Sequence, residues 1–344
     1  MNKFVEKEIE RIYQNFDFGK ALDHSSILIT GGTGLIGSTI VRYLSYLKKK
    51  DNFDIQIYAM ARNEKKVKSL DFAGNISWIY KTLDDDLDNL SSVDYIIHTA
   101  SPTDSKYFIE KPVETINSTI HGLNNLMIFA SKSNTKGFVF LSSMEAYGIC
   151  CDDKYLKENE YYSIDSTNVR NSYSEGKKIL ECLACSYASE YNVPVKIVRL
   201  CQTFGPGVTL DDNRVFAQFA RAVTNGQDIT LSTKGETKRS YCSLVDATSG
   251  ILTVLLHGKV GQAYNIASDD SYYSIYQMAE FFIKNTSQKI VIQEKNDNKY
   301  LPTIKFGLET SKAKTIGFKS IDSMESIVNT FKEYYDNLLK GIVD

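Results

Sequence analysis

A glycine-rich segment directly after an apolar run is the feature that most constrains this chain. The run "SILIT" (26–30) is followed by "GGTGLIG" (31–37), and apolar residues then recur at helical spacing. Between a strand and a helix, glycines permit a tight turn and let the backbone approach a pyrophosphate, which the helix N-terminus stabilises. The segment therefore predicts a dinucleotide-binding turn. The residues expected to contact the dinucleotide are Gly31, Thr33, Gly34, Leu35, Ile36 and Gly37.

Short apolar runs and helical patterns alternate through the first two-thirds of the sequence. Later strands are predicted at "DIQIYAMA" (54–61), "ISWIY" (76–80), "VDYIIHTA" (93–100), "GFVFLSS" (137–143) and "VPVKIVRL" (193–200). Strands that are separated by helices imply a parallel sheet with helices on both faces. The expected fold class is therefore α/β, with a doubly wound parallel Rossmann sheet and a smaller interleaved α/β substrate domain.

The pattern also suggests how the chain is divided into domains. Residues 1–24 are acidic and amphipathic, which predicts a helical extension docked on the body. Residues 25–201, together with about 236–258, are assigned to the dinucleotide-binding domain. Beyond residue 201 the pattern loosens, so residues 202–235 and 259–344 are assigned to the substrate domain.

The composition excludes several classes of function. The 344 residues carry a formal net charge of −2, so neither nucleic acid nor a membrane surface is an expected partner. The sequence has no run long enough for a membrane span and no signal-peptide pattern at its start, so a cytoplasmic location is expected. Of the six cysteines, Cys182 and Cys185 have the CxxC spacing, but they lie in a helical pattern without a second pair, and the four histidines are isolated, so no metal site is expected.

The end of the second predicted strand bears on which dinucleotide is bound. Dinucleotide sites usually place an Asp or Glu there to hold the adenosine ribose 2′-hydroxyl. This chain instead has Ala61 followed by Arg62. Arg62 can accept the 2′-phosphate of NADP, stack on adenine or face solvent. The expected cofactor is therefore NAD or NADP, with Ala61 and Arg62 among its contacts.

A serine-rich strand end comes later in the chain. "FVFLSSMEAYG" (138–148) continues past a predicted strand, and the carboxyl end of a parallel strand faces the cofactor crevice. This position puts Ser142, Ser143 and Glu145 at the nicotinamide. Two serines at a strand end are also ordinary turn residues, so this motif indicates a functional site only in combination with the other motifs of the chain.

The pentapeptide "YSEGK" (173–177) places Tyr173 and Lys177 one helical turn apart. A phenol titrates at about 10, which is too high for a base at neutral pH. A lysine on the same helix face supplies positive charge that favours the phenolate. The pair is a candidate base with its tuning residue, or a chance pair on a solvated helix.

In this order the motifs resemble those of the short-chain dehydrogenase/reductase superfamily, and more closely its extended branch, the nucleotide-sugar epimerases, dehydratases and decarboxylases. The resemblance covers roughly residues 25–280 and includes "HTAS" (98–101), Asn117, "RLCQTFGPG" (199–207) and "KRSYCSLVDA" (238–247). It implies NAD or NADP as the cofactor. The further cofactor contacts that it implies are Thr99, Ala100, Ser101, Asn117, Ser142, Tyr173, Lys177 and Leu200.

The resemblance also implies catalytic roles. Tyr173 is expected to be the base, Lys177 to tune it and hold the nicotinamide ribose, and Ser143 to hydrogen-bond the oxygen that becomes a carbonyl. Related dehydratases carry Thr-Asp-Glu at this strand end, whereas this chain has Ser143-Met144-Glu145. The retained glutamate favours oxidation at C4 followed by a step at C5 or C6, with Glu145 as acid or base. In the alternative, Glu145 only binds a sugar hydroxyl.

A nucleoside-diphosphate sugar is the substrate that the resemblance implies. The guanidinium groups of Arg214 and Arg239 suit diphosphate oxygens, although either residue could be a surface charge. Gln202 stands where relatives often have Asn. The residues expected to bind the substrate are Ser101, Ser143, Met144, Glu145, Gln202, Arg214, Val215 and Arg239.

The expected function is NAD(P)-dependent modification of a nucleoside-diphosphate sugar. Hydride abstraction at C4 would be followed by dehydration, decarboxylation or epimerisation. Two alternatives stay open: a one-way NADPH-dependent reductase of a nucleotide-linked keto-sugar or polyol precursor, and a non-catalytic dinucleotide-sensing scaffold. Relatives often pair the Tyr-Lys helix into a four-helix bundle, and residues 177–191 have apolar surface for that pairing, so a homodimer is expected.

Overall fold

Parallel strands alternate with helices along much of the chain. The computed structural model describes residues 2–294 and 303–342, except residues 69, 71, 73, 75, 86, 89 and 102–104. The strands are, in chain order, β1 (Ser25–Thr30), β2 (Ile55–Met60), β3 (Ser77–Ile79), β4 (Tyr95–His98), β5 (Gly137–Ser143), β6 (Lys154–Leu156), β7 (Val195–Leu200), β8 (Gln202–Phe204), β9 (Ile229–Leu231), β10 (Lys238–Ser243), β11 (Ala263–Ile266), β12 (Tyr272–Ser274), β13 (Ile290–Ile292) and β14 (Lys305–Leu308). The helices are, in chain order, α1 (Lys3–Asn15), α2 (Gly19–Leu22), α3 (Leu35–Asp51), α4 (Glu64–Lys68), α5 (Ser105–Glu110), α6 (Pro112–Ser131), α7 (Ser172–Tyr191), α8 (Val215–Thr224), α9 (Leu244–His257), α10 (Ile275–Ile283), α11 (Ser311–Lys314) and α12 (Met324–Leu339).

Seven strands form the main sheet, in the order β11-β7-β5-β4-β1-β2-β3. Every neighbouring pair in this sheet is parallel. The strand order changes direction between β1 and β4. These two strands pair with each other as far as Thr30 and His98. In open sheets of this kind, ligands bind outside the carboxyl ends of the strands at that change of direction. The predicted doubly wound parallel sheet is thus confirmed, and it places a ligand crevice at the ends of β1 and β4.

The strands that the apolar runs predict lie in the middle of this sheet. β5 occupies the predicted range, and all of its residues except Ser143 are buried. Every residue of β7 is buried as well. Helices cover both faces of such strands, which is why they read as continuous apolar runs. β11 is a further strand of this sheet that the sequence does not reveal, because its four residues include the polar Asn265 and form no long apolar run.

A second group of strands lies beyond the main sheet. β12, β10, β14 and β6 pair in that order, β8 adds to β10, and β13 pairs with β9. The chain passes directly from the main sheet into this group, because only Cys201 separates β7 from β8. The predicted smaller interleaved region is therefore present. The exact domain bounds stay a prediction, since β6 pairs within the smaller group and β11 within the main sheet.

The N-terminal helix α1 is docked on the body, as its amphipathic sequence predicts. Ile9 and Ile12 are completely buried where α1 packs on α3 and α9. The Arg11 guanidinium lies 2.9 Å from a carboxylate oxygen of Glu8 and 2.7 Å from one of Asp322. Burial raises the pKa of Glu8, and the positive charge of Arg11 opposes this effect. Arg11 thus offsets the burial of two carboxylates between α1 and the start of α12.

We expect Arg11→Ala to lower the free energy of unfolding by about 3 kcal/mol, because it leaves buried carboxylates without their cation. The measurement is urea unfolding of the full chain. Lys7→Ala is the matched control, since Lys7 is an exposed cation one turn earlier on the same helix. It should change the unfolding free energy by less than about 0.5 kcal/mol. Equal losses in the two variants would show that Arg11 does not hold the helix in this way.

Two other kinds of feature, a membrane-spanning helix and a metal cluster, are absent from the described ranges. There, no helix combines the length and apolar character that crossing a bilayer requires. In the same part of the chain, no three His, Cys, Asp or Glu side chains gather in a way that could hold a metal ion.

Candidate active site

The glycine turn after β1 has the geometry of an anion-binding site. Gly31 has a φ of +68°, and its carbonyl accepts a 2.8 Å hydrogen bond from the Gly34 N–H. A Cβ at position 37 would lie 2.3 Å from the Gly31 oxygen, so only glycine lets α3 approach the turn this closely. No side chain caps α3, which leaves the N–H groups of its first turn, from Leu35 onward, available to a ligand. The turn therefore fits a pyrophosphate. Thr33 and Ile36 lie in the same segment and are partly exposed.

The ends of β1 and β4 are joined behind this turn. The Thr30 hydroxyl lies 2.7 Å from His98 Nδ1, and the Thr99 hydroxyl donates to the Thr30 carbonyl at 2.7 Å. The Ala100 N–H donates to the Thr30 hydroxyl at 3.3 Å. Burial lowers the pKa of His98 to about 3, so its ring is neutral. The "HTAS" segment thus supports the glycine turn, and the partly exposed Ser101 follows it.

Polar and aromatic residues surround the end of β2, where an adenosine would bind. Ala61 is buried, whereas Arg62 is exposed. The Arg42 guanidinium lies over the Phe72 ring at 4.3 Å, and the Phe72 and Trp78 ring centroids are 6.3 Å apart. The sequence motifs gave no indication of this group, because Arg42, Phe72 and Trp78 come from three different elements. The cofactor contacts of Ala61 and Arg62 stay a prediction.

Lys177 is buried on the face of α7 that packs against β5. Its Nζ donates to the Leu141 carbonyl at 2.8 Å and lies 5.6 Å from the Tyr173 ring centroid. Burial lowers the pKa of Lys177 to about 8, and the negative charge of Glu181 opposes this effect. The charge of Lys177 also contributes to the lowered pKa of His98. Lys177 Nζ lies 5.0 Å from the Phe140 ring centroid, and the Phe140 ring stacks on His98 with centroids 5.9 Å apart, so Lys177 lies near the end of β4.

The environment of Tyr173 differs from the sequence expectation. Burial raises the pKa of its phenol, the negative charge of Glu145 raises it further, and a hydrogen bond with Ser143 lowers it. The ring is stacked on Phe108, with centroids 4.5 Å apart and planes 13° apart. The Lys177 ammonium donates to the Leu141 carbonyl, and its positive charge does not cancel the effect of burial on the phenol pKa. The phenol is therefore neutral in this environment, and it needs a further positive charge to act as a base.

The strand end after β5 meets the Tyr-Lys helix, as the motifs predict. The Ser143 hydroxyl accepts a 3.2 Å hydrogen bond from the Glu145 N–H and so caps a short 3-10 turn at Met144–Tyr147. The Ser174 hydroxyl donates to a Glu145 carboxylate oxygen at 3.2 Å. Ser143, Glu145 and Tyr173 are thus brought together, and each is only partly buried.

Three other expected residues have surroundings that the sequence did not indicate. Met144 is buried in the main hydrophobic core. The Ser142 hydroxyl donates to Glu181 at 2.5 Å. Asn117 lies on an exposed position of α6, whereas Thr119 is buried on the side that faces α7. A Cβ at position 176, between Tyr173 and Lys177, would lie 3.7 Å from the Thr119 hydroxyl oxygen. The cofactor roles of Ser142 and Asn117 and the substrate role of Met144 stay predictions.

Leu200, Gln202 and Val215 lie along the path from the main sheet to α8. Leu200 ends β7 and is level with Ser143 of β5 in the sheet register. Gln202 pairs with Tyr241 between β8 and β10 and is partly buried. Val215 is the first residue of α8. Their contacts with a ligand stay a prediction.

The two arginines expected to bind the substrate differ in their surroundings. Arg239 has a buried Nε atom that finds no hydrogen-bond partner among the residues that the structure describes. A buried guanidinium nitrogen of this kind fits an anion such as a diphosphate. Arg214 instead forms an ion pair with Asp212, with N–O distances of 2.6 to 3.1 Å, and its guanidinium lies over the Phe216 ring. A ligand that binds Arg214 must therefore compete with Asp212.

Comparisons with known sequences agree with this geometry. A model of the NAD dependent epimerase/dehydratase family matches residues 27–267. UDP-glucuronic acid decarboxylase 6 of Arabidopsis thaliana is 27% identical over 262 residues, which are 74% of this chain and 72% of that protein. UDP-glucuronic acid decarboxylase 1 of Xenopus tropicalis is 25% identical over 277 residues, covering 80% of this chain and 63% of that protein.

Solved structures share the fold. A UDP-glucose 4-epimerase from Thermotoga maritima, solved with UDP-glucose, superposes with a TM-score of 0.78 at 21% identity, covering 91% of this chain and 99% of its own. A dTDP-glucose 4,6-dehydratase from Streptomyces venezuelae, solved with NAD and TYD bound, also has a TM-score of 0.78, at 20% identity, covering 93% and 99%. Because the family model spans more than half of the chain, including the glycine turn and the Tyr-Lys helix, this protein belongs to the NAD-dependent epimerase/dehydratase family.

Proposed function

We propose that this protein removes a hydride from C4 of the sugar in a nucleoside-diphosphate sugar, with NAD as the acceptor, and then converts the keto-sugar further. The observation that carries this proposal is the meeting of Ser143, Glu145 and Tyr173 at the end of β5, with Lys177 one turn further along α7. The decarboxylases and dehydratases that resemble this chain support the same substrate class. A family that depends on NAD supports NAD as the cofactor.

In the first step Tyr173 takes the proton of the C4 hydroxyl as the hydride leaves that carbon. Ser143, which hydrogen-bonds to the Tyr173 phenol, also binds the oxygen that becomes a carbonyl. The chemistry that bound NAD supplies is hydride acceptance and a positive charge beside the phenol. Such a charge would offset the effects of burial and of the Glu145 carboxylate, both of which raise the pKa of Tyr173. Lys177, which donates to the Leu141 carbonyl, would bind the nicotinamide ribose.

The second step is assigned to Glu145. A carbonyl at C4 stabilises the carbanion that forms when C5 loses a proton or a carboxylate group. Glu145 lies next to Tyr173 and is held by the Ser174 hydroxyl, so its carboxylate can accept or return that proton. Met144 is buried in the core and carries no acidic proton, so Glu145 is the acid or base that this strand end provides. Dehydration, decarboxylation and epimerisation at C5 all pass through this carbanion.

The test is anaerobic incubation of the purified protein with UDP-, dTDP-, GDP- and CDP-linked sugars, including uronic acids. We expect turnover without added cofactor, and mass spectrometry should show a 4-keto, epimerised or decarboxylated product. Retained NAD should appear when the protein is denatured. If no sugar nucleotide in the panel is changed even with NAD added, the proposed function is wrong.

One observation favours a second candidate, a one-way NADPH-dependent reductase of a nucleotide-linked keto-sugar. Ala61 is buried where an acid would hold the ribose, and the Arg62 side chain is exposed, so its guanidinium could reach a 2′-phosphate. This reaction would consume one NADPH per product. The same incubations therefore distinguish the candidates, because a recycled cofactor gives product without net NADPH consumption.

We expect Arg239→Ala to raise the KM for the sugar nucleotide about 30-fold, because it removes a charge-assisted contact to the diphosphate. Arg214→Ala is the matched comparison and should raise KM less than about 5-fold, since Asp212 already occupies that guanidinium. Initial rates at varied substrate concentration give both values. Equal effects in the two variants would argue against the buried Arg239 nitrogen as the main diphosphate contact.

A homodimer through α6 and α7 remains part of the proposal. These helices pack on each other, and α7 exposes Ile179 and Tyr191 by 50% and 54%. Val113 at the start of α6 is 63% exposed. Light scattering during gel filtration measures the mass, and Ile179→Glu should shift a dimer towards monomer. A cytoplasmic location also stays a prediction.

A further inference from the structure

The catalytic helix α7 is bonded twice to the end of β5, at two consecutive residues. Lys177 Nζ donates to the Leu141 carbonyl at 2.8 Å. One turn later on the helix, Glu181 accepts a 2.5 Å hydrogen bond from the Ser142 hydroxyl. The next residue of the strand is Ser143, which touches the Tyr173 phenol. The second bond therefore fixes the strand end that carries the proposed active-site serine.

Arg199 of β7 holds the Glu181 carboxylate from the other side. Its Nε and Nη2 donate to the two carboxylate oxygens at 2.9 and 2.7 Å, and its Nη1 donates to the Glu158 carbonyl at 3.0 Å. The guanidinium also lies 4.5 Å from the Tyr147 ring centroid. The side chains of Arg199 and Glu181 are only 2% and 12% exposed. A bidentate pair with this little exposure has one geometry, so it can position its neighbours.

We propose that Glu181 is a positioning residue of the active site, which joins Ser142 of β5 and Arg199 of β7 to α7 and so fixes Ser143 and Lys177 relative to Tyr173. This inference rests on the proposed function for its kinetic consequences. It gives the Ser142 hydroxyl a partner other than the cofactor. It also gives a function to the buried Arg199–Glu181 ion pair, which takes no part in the proposed chemical steps.

Glu181 has an electrostatic consequence for Lys177 as well. Burial lowers the pKa of Lys177 to about 8, and Glu181 works against that lowering. Other ionisable groups near Lys177 are Tyr173 on its own helix and His98 at the end of β4, while Arg199 on β7 is paired with Glu181. His98 is neutral, so the Glu181 carboxylate is the group that retains the proton on Lys177. Replacing the carboxylate with an amide therefore lowers the pH at which Lys177 loses its charge.

The experiment compares Glu181→Gln with Ser142→Ala in the full chain. NAD affinity is titrated across pH through the fluorescence of Trp78, the single tryptophan of the chain, and kcat is measured where a substrate is turned over. In the wild type both should fall as the pH rises through about 8. Lys177→Met should lack this pH limb, which assigns the limb to Lys177.

We expect Glu181→Gln to move the alkaline limb to lower pH by about one unit and to lower kcat about 30-fold with little change in KM. Ser142→Ala keeps the carboxylate, so it should leave the limb in place and lower kcat about 5-fold. If Glu181→Gln does not fold, Glu181→Gln combined with Arg199→Met removes both charges and should show the same shift. If NAD affinity falls at the same pH as in the wild type in every folded variant that lacks Glu181, the inference is wrong. Because NAD binding needs no substrate, this outcome is distinct from a failure of the proposed reaction.

Discussion

Tyr173→Phe is expected to lower kcat by about 1,000-fold while the protein keeps its fold and its NAD. The substitution removes the phenolic oxygen that accepts the C4 proton and leaves the ring stacked on Phe108. The measurement is the initial rate on the best sugar nucleotide, together with the NAD released on denaturation. Loss of rate without loss of cofactor separates a chemical role from a structural one.

Tyr191→Phe is the matched control, because Tyr191 is an exposed tyrosine on the same helix. It should retain the wild-type rate. If Tyr173→Phe also retained most of the rate, another group would have to be the base. The scaffold alternative would gain support if no variant of Tyr173, Ser143 or Lys177 changed any activity or ligand response.

Gly37→Ala is expected to weaken NAD binding about 100-fold or more. The added Cβ would lie 2.3 Å from the Gly31 oxygen and 2.8 Å from the Thr99 hydroxyl, and backbone cannot give way as a flexible side chain can. α3 must therefore move away from the turn, which displaces the N–H groups that face the pyrophosphate. Titration through Trp78 fluorescence measures the loss, since this side chain lies beside Gly32 of the same turn.

Gly74→Ala is the control, because a Cβ at that position meets no atom of the described residues within 4 Å. It should bind NAD as the wild type does. Thermal unfolding of both variants shows whether Gly37→Ala is folded at the temperature of the titration. A folded Gly37→Ala variant with unchanged NAD affinity would mean that the turn does not hold the pyrophosphate.

Much of the fold could be predicted because its central strands are buried on both faces. An apolar run such as 137–143 must be buried, and a central strand of a sheet covered by helices buries it on both faces. β5 occupies that range. The helix of "YSEGK" was also expected, and α7 runs from Ser172 to Tyr191. The short strand β11 was not assigned to the main sheet, because four residues at an edge leave no periodic signal.

The part of the candidate site that could be predicted consists of residues that belong to short sequence motifs. Ser143, Glu145 and Tyr173 do meet, because strand ends and the following helix converge in a doubly wound sheet. Contacts between distant elements gave no such signal. Phe108 covers the Tyr173 ring from 65 positions away, and this burial raises the phenol pKa, whereas the lysine spacing alone predicts a lowered one.

The sequence also did not predict which residue of α6 faces α7 or which side chain bonds to the end of β5. Asn117 and Thr119 are two positions apart, which is more than half a helical turn, so only one of them can face α7. The motif favoured Asn117, and Thr119 is the buried one. The Ser142 hydroxyl was expected at the cofactor, but its partner Glu181 is fixed by Arg199 on another strand. Such a choice depends on three-dimensional packing that a linear pattern does not encode.

The most direct test of the central claim is a single turnover with a sugar nucleotide that carries deuterium at C4. We expect transient reduced nicotinamide, seen by its near-ultraviolet absorbance, with a primary isotope effect on its appearance and none of this signal in Tyr173→Phe. Product formation without reduced nicotinamide, or without any isotope effect from C4, would contradict hydride removal at that carbon.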